Sequence, residues 1–268
     1  DLKRVAHRIA INAERAQEGE PTRVVVPDLE DDNAGQIYHA YGFPYGDAYI
    51  GMFQWYWQSD DPWGEMELIT SRDTVNWQRI RPRQAFLPRS PGGSAGSAFD
   101  CQITDTALSP PVYTVQRGPV LAPPKETLWF YYWGGAAMHS HRYLSFGRSM
   151  GLAQLRVDGF CSLRADRFPG TLVTRPVIWP GGQLELNARE FTGDSNDGGL
   201  RVEVLAEDLS PIAGLTLAEA DLVSGDGRLT ATWRGDGKAL EPMKDRTIRL
   251  KIYLERMDLF SLRASRES

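Results

Sequence analysis

Two cysteines, Cys101 and Cys161, are too few for a disulfide framework, and free thiols are expected. No CxxC or HxxxH spacing accompanies them, so the sequence carries no metal-binding cluster. Long hydrophobic runs are also missing. No stretch approaches the roughly 20 apolar residues of a membrane-spanning helix, and no membrane partner is expected. Excess positive charge is absent too: the net charge is −5 and the basic residues are interleaved with acids. That excludes the cationic stripe on which nucleic-acid affinity rests. The chain begins Asp1-Leu2-Lys3-Arg4, with neither an initiating Met nor a signal-peptide pattern, and reads as an excised or processed piece.

What is abundant is the material of short strands and tight turns. Eight Trp, ten Tyr and ten Phe stand beside 26 Gly and 17 Pro. Rings in such numbers fill cores, and they also suit the C–H faces of sugars. Strand-like runs bounded by turn residues recur along the whole chain, which predicts an all-β fold. The N-terminal run Arg4 to Ile11 reads as strand or helix, and Arg23 to Val26 reads as a strand stopped by Pro27.

Two stretches repeat one plan. The first places strands at Gln36 to Tyr41, Ala48 to Phe53, Glu65 to Thr70 and Gln78 to Ile80. The second places them at Phe99 to Ile103, Leu128 to Trp133, Gly151 to Leu155 and Phe160 to Leu163. Four strands in that length make one propeller blade. With a half blade ahead of them, residues 1–165 hold the last two to three blades of an incomplete propeller. Another chain or an upstream segment is expected to complete it, because open sheet edges are an aggregation hazard.

The pattern changes after Ala165. Runs at Thr171 to Val177, Gly182 to Ala188, Leu200 to Leu205, Leu229 to Arg234, Thr247 to Leu254 and Leu259 to Ala264 read as antiparallel strands. The alternation in Ile248-Arg249-Leu250-Lys251-Ile252 belongs to a strand with one wet face. Residues 166–268 are therefore expected to form a β-sandwich.

Against this background Ser71-Arg72-Asp73-Thr74-Val75-Asn76-Trp77 is similar to the S-x-D-x-x-x-W hairpin of five-bladed propeller glycoside hydrolases, the invertase and arabinanase families. Gly159-Phe160-Cys161-Ser162-Leu163 resembles the G-F-x-S-L turn of uncharacterised bacterial members. Leu186-Asn187-Ala188, Arg201 to Leu205, Gly225-Asp226-Gly227 with Trp233, and Leu259 to Arg263 extend the likeness to the C-terminus. The resemblance implies a partial five-bladed propeller followed by a sandwich, acting on glycosidic bonds of an oligo- or polysaccharide. A non-catalytic carbohydrate-binding or assembly module on the same scaffold is the alternative. No cofactor is expected, although calcium on the propeller axis stays open, and a secreted or periplasmic setting is favoured.

Glycoside hydrolysis needs two carboxyl groups flanking the scissile bond. The resemblance implies that they project from innermost strands into an axial funnel. Asp100 begins the second inner strand, after a Gly/Ser loop, and is the leading catalytic candidate; capping that turn is its other reading. Glu67 is the second candidate, sharing a strand face with Glu65, and its other reading is contact with solvent or neighbouring arginines. Where relatives often carry an acid before a hydrophobic-Tyr pair this chain has Gln36-Ile37-Tyr38, so Asp31, Asp32 or an upstream residue would have to substitute. Gln36, Tyr38, His39, Gln102, His139 and His141 are candidate contacts to sugar hydroxyls; the His139/His141 pair, with no third ligand evident, also reads as a metal-binding or a solvated loop pair. Trp55, Tyr56, Trp57 and Trp63 read as a rim platform or as packing between blades. Asp73 is expected to bond its own turn amides and is left off the catalytic set.

Overall fold

A computed structural model describes residues 23–31, 35–57, 63–87, 118–123, 126–135, 148–191 and 198–265. They are all-β apart from one 3-10 turn at Glu241–Met243, and no helix among them is long and apolar enough to cross a membrane. The chain divides into two compact units, Asp1–Val157 and Asp158–Ser268.

In the first unit, β1 (Gly35–Tyr45), β2 (Ala48–Trp57), β3 (Trp63–Ser71) and β4 (Trp77–Arg79) form an antiparallel meander in chain order. This is the first four-strand repeat read from the sequence. A short β5 (Ala85–Leu87) pairs with the same edge of β3 that β4 occupies further along. A second meander joins β6 (Val120–Ala122), β7 (Thr127–Gly135) and β8 (Arg148–Arg156). The expected strand Phe99 to Ile103 lies outside the described residues. The strand expected at Arg23 to Val26 forms no ladder, although Val25 is buried against Ile37, Phe53, Trp55 and Ile69.

The second unit has two four-stranded antiparallel sheets around one core. β9 (Leu163–Ala165), β12 (Leu184–Glu190), β14 (Asp226–Thr230) and β16 (Met257–Ala264) make the first, in the order β14-β12-β16-β9. β10 (Gly170–Val173), β11 (Val177–Ile178), β13 (Gly199–Ala206) and β15 (Thr247–Glu255) make the second. β15 is its centre, with β13 on one edge and β10 and β11 on the other. Ile248, Leu250, Ile252 and Leu254 of β15 meet Leu184, Leu186, Met257 and Leu259 inside, and Trp233 is buried beside them. Its indole Nε1 donates to the Val202 carbonyl at 2.9 Å, which satisfies the polar atom of a core ring.

Three sequence expectations are corrected. The strand at Phe160 to Leu163 does not close the second meander; β9 starts at Leu163 and pairs with Met257–Leu259 of β16. Leu163 itself is 54% exposed and gives no hydrophobic signal for either partner. The run Thr171 to Val177 splits into β10 and β11, since Pro176 has no N–H to donate. The strand placed at Leu229 to Arg234 is β14, which ends at Thr230; Trp233 then forms only isolated bridges to Ala220 and Asp236.

The connection from β3 to β4 is the S-x-D-x-x-x-W hairpin, and its bonds are local. Asp73 Oδ1 accepts from the Val75 and Asn76 amides at 2.9 and 2.7 Å, and Oδ2 accepts from the Asn76 side chain at 2.6 Å. Ser71 Oγ accepts from the Asp73 and Thr74 amides. Thr74 is held at φ 67°, and Trp77 Nε1 donates to its carbonyl at 2.9 Å. The ring of Trp77 then lies over Gly51 of β2, where a Cβ would come within 2.7 Å of the indole and 2.8 Å of the Tyr41 carbonyl. Asp73 is structural, as its turn chemistry predicts.

Candidate functional site

Cross-strand register decides which side chains of the first sheet can meet. Trp55 pairs with Ile37 and Glu65, and Phe53 pairs with Glu67. Ile69 pairs with Arg79. Directly opposed residues share a face, so Glu67 and Arg79 stand on the face of Ile37, Phe53, Trp55 and Ile69. Gln36, paired with Tyr56, lies on the opposite face. Gln36 and Glu67, two of the residues singled out in the sequence, are therefore not brought together.

On the Glu67 face the structure assembles an ionic cluster. Arg79 Nη2 and Nε donate to Glu67 Oε2 at 2.8 and 3.2 Å, while Nη1 donates to both Asp31 oxygens at 2.6 and 2.8 Å. Arg83 Nη1 reaches Asp31 at 2.9 Å and Asp28 at 2.8 Å, and Arg83 Nη2 also donates to Asp28. Arg81 pairs with Glu30 at the surface. The centre is dry: the Arg79 side chain is 9% exposed and that of Asp31 is 4%. The guanidinium lies 5.0 Å from the Phe53 ring centroid and 5.2 Å from that of Trp55. Cation–π attraction of this kind strengthens when desolvated.

Two carboxyls in one cluster behave differently. Burial pushes Glu67 above its ordinary pKa, and this outweighs the opposing pull of Arg79. Asp28, at the exposed end, is held well below the carboxylate range by its hydrogen bonds from Arg83 and the Glu30 amide. A raised, protonatable Glu67 beside a second carboxyl is the electronic arrangement of a general acid and its partner. Arg79 stands between Glu67 and Asp31, however, and occupies Glu67 Oε2 and both oxygens of Asp31. As built, the cluster fastens residues 28–31 to β3 and β4.

The remaining candidates fall into three groups. Asp100, Gln102, His139 and His141 lie outside the described residues, as do Cys101 and Asp32. Tyr38 and His39 are in β1 at a bulge: the register shifts between Ile37 and Ala40, so two residues oppose Gln54. Trp57 and Trp63 are cross-strand partners at the end of the β2–β3 ladder where the chain passes from one strand to the other, but Trp55 belongs to the core at 3% exposure. Trp55 packs edge-on to Phe53 and is no rim platform. Cys161 is exposed and free. No group of three or more His, Cys, Asp or Glu among the described residues is placed to hold a metal ion.

Sequence reasoning named Glu67 and Asp31 but missed Arg79 and Arg83, which organise them. Arg79 lies 48 residues from Asp31 and Arg83 lies 55 from Asp28, so no local spacing joins them. A second polar cluster, in the other unit, was also missed. Asp258 is fully buried and accepts from Arg164 Nε and Nη2 at 3.0 Å each, from Arg189 Nη2 at 2.8 Å, and from Ser162 Oγ at 3.0 Å. Burial alone would raise that carboxyl, but the arginine and serine bonds prevail and hold it below its ordinary pKa.

No protein-family model matches this chain, and no curated protein matches it. Among solved structures, it aligns with a chain titled "Glycoside hydrolase" at 17% identity and a TM-score of 0.31, over 46% of this chain and 33% of that one. The chain thus spans a third of that protein. It also aligns with the Bombyx mori GH32 beta-fructofuranosidase BmSUC1 at 11% identity and a TM-score of 0.24, over 94% of this chain and 70% of that one.

Proposed function

We propose that the protein is carbohydrate-active, built on a glycoside hydrolase-like scaffold of propeller blades followed by a sandwich. The observation that carries this reading is the Ser71–Trp77 hairpin, whose Asp73 and Trp77 make the bonds that such a hairpin requires between two outer strands of a meander. Asp100 would supply one axial carboxylate for cleavage of an oligo- or polysaccharide, with Tyr38 and His39 at the β1 bulge contacting sugar hydroxyls. The blades would be completed by another chain or an upstream segment.

A second reading has its own support. Glu67 is occupied by Arg79, and Gln36 replaces an acid on the opposite face, which favours a non-catalytic carbohydrate-binding or assembly role on the same scaffold. Fold alone does not separate the two, because chemistry resides in the site.

The deciding experiment incubates the protein with a panel of oligo- and polysaccharides and reads both released reducing ends and retained glycan. Hydrolysis lost in Asp100→Asn with binding kept identifies Asp100 as catalytic. Binding without hydrolysis selects the second reading, and absence of both across the panel removes the carbohydrate assignment.

A further inference from the structure

The two meanders of the first unit do not close fully on one another. A cavity of about 80 Å³ remains between them, walled by Tyr41, Met52 and Met66 of the first sheet, Phe86 of β5, and Phe130 and Ala153 of the second. Its origin is local. Ala153 is the cross-strand partner of Phe130, and its single methyl leaves unfilled the layer that Phe130 and Phe86 occupy edge-to-face at 6.0 Å. Native interiors rarely tolerate such voids.

The lining decides what would enter. Buried water needs two to four polar partners, and apolar cavities stay dry and take apolar guests. Here the walls are mostly thioether, aromatic ring and aliphatic carbon, with Gln154, Tyr131 and Tyr132 also in the lining. Among these, the Tyr41 hydroxyl spends its proton on Met52 Sδ at 3.0 Å and keeps its oxygen as an acceptor. Two of the walls are methionines, the most adaptable of apolar side chains and favourable partners for aromatic rings. They permit expansion from 80 Å³ toward the space a single ring requires.

We propose that this inter-sheet cavity is a binding site for a small uncharged aromatic molecule, preferentially one bearing a single hydroxyl or N–H that donates to Tyr41. The proposal stands apart from the carbohydrate reading and uses none of its candidate residues.

The test labels methionine methyl groups with ¹³C and titrates the intact chain with benzene and with phenol. The Met52 and Met66 resonances should move in both titrations, while Met243 and Met257, buried in the other unit, should not. Phenol should bind roughly 2- to 10-fold more tightly than benzene, the worth of one hydrogen bond. Tyr41→Phe should erase that margin and leave benzene binding in place. Ala153→Leu fills the cavity and should abolish both responses, with Met52 and Met66 signals of the ligand-free variant still dispersed as in the folded chain certifying the fold of this unit. The proposal is overturned if Met52 and Met66 stay still up to the solubility of both probes. It is equally overturned if Ala153→Leu, or Ala153→Val should the leucine variant not fold, responds as the wild type does.

Discussion

β2 and β15 are both central strands of antiparallel sheets, and they are buried in different ways. Along β15 exposure alternates strictly, each of Ile248, Leu250, Ile252 and Leu254 buried and each intervening residue partly open. Along β2 six successive residues, Ile50 to Trp55, are buried without alternation. The second unit is a two-layer structure in which β15 keeps one half-open face, although β13 beside it buries Val202 to Leu205 in succession. In the first unit β2 is covered twice, by Val25 on the Phe53 face and by the β7–β8 sheet across Met52. Polar groups that fall between layers there, such as Arg79, must find all their partners inside protein.

That contrast can be broken most severely at Trp233. Replacing it with Ala leaves a large void in the sandwich core and takes away the indole bond to the Val202 carbonyl, at an expected cost of about 5 kcal/mol in urea unfolding. Arg79→Met comes next. It strips Glu67 of its arginine and leaves Asp31 only its bond from Arg83, and should cost about 3–4 kcal/mol. Asp258→Asn is the matched change in the other unit, but Arg164 and Arg189 are 59% and 45% exposed and can turn to water. Its expected cost is only about 1 kcal/mol. Equal losses in the two arginine–carboxylate clusters would show that double coverage does not set the penalty.

The smallest effect is read by pH. Asp73 is held below the ordinary carboxylate range by the Asn76 side chain and its turn amides. Its contribution is therefore complete above the unfolded value of about 3.9 and is lost as pH falls through the folded one. Asp73→Asn should flatten the acid limb of the urea-midpoint profile. Glu67 has the opposite sign: its raised folded pKa favours the protonated fold, so its contribution declines as pH rises through that value. Glu67→Gln should gain on the wild type toward neutral pH. Parallel profiles for the two variants would contradict the difference in environment.

Much of this architecture was legible because period-2 patterns are local. β12, β13, β15 and β16 each lie where alternation and turn residues placed them, as do β1 to β4. What failed is instructive. Residues 163–165 carry only one buried side chain, Ala165, so pattern alone had no means of choosing a sheet for β9. Trp55 looked like part of an exposed aromatic cluster because a strand covered on both faces has no alternation to mark which rings are inside. Of the ionic cluster, the sequence singled out Glu67 and Asp31, but Arg79 and Arg83, which bind the carboxyls, lie 48 and 55 residues from their partners Asp31 and Asp28 and meet them only in the fold.

The contact between Trp77 and Gly51 makes two positions 26 residues apart a single unit of change. No side chain fits at 51 while an indole lies there, and the neighbouring Tyr41 carbonyl closes the other way out. A lineage that acquires alanine at 51 must first accept a smaller ring at 77, and that ring would no longer reach the Thr74 carbonyl that closes the hairpin. Reversion is then easier than compensation. The pair is an evolutionary ratchet, and in any collection of related chains Gly51 and Trp77 should be kept together or lost together.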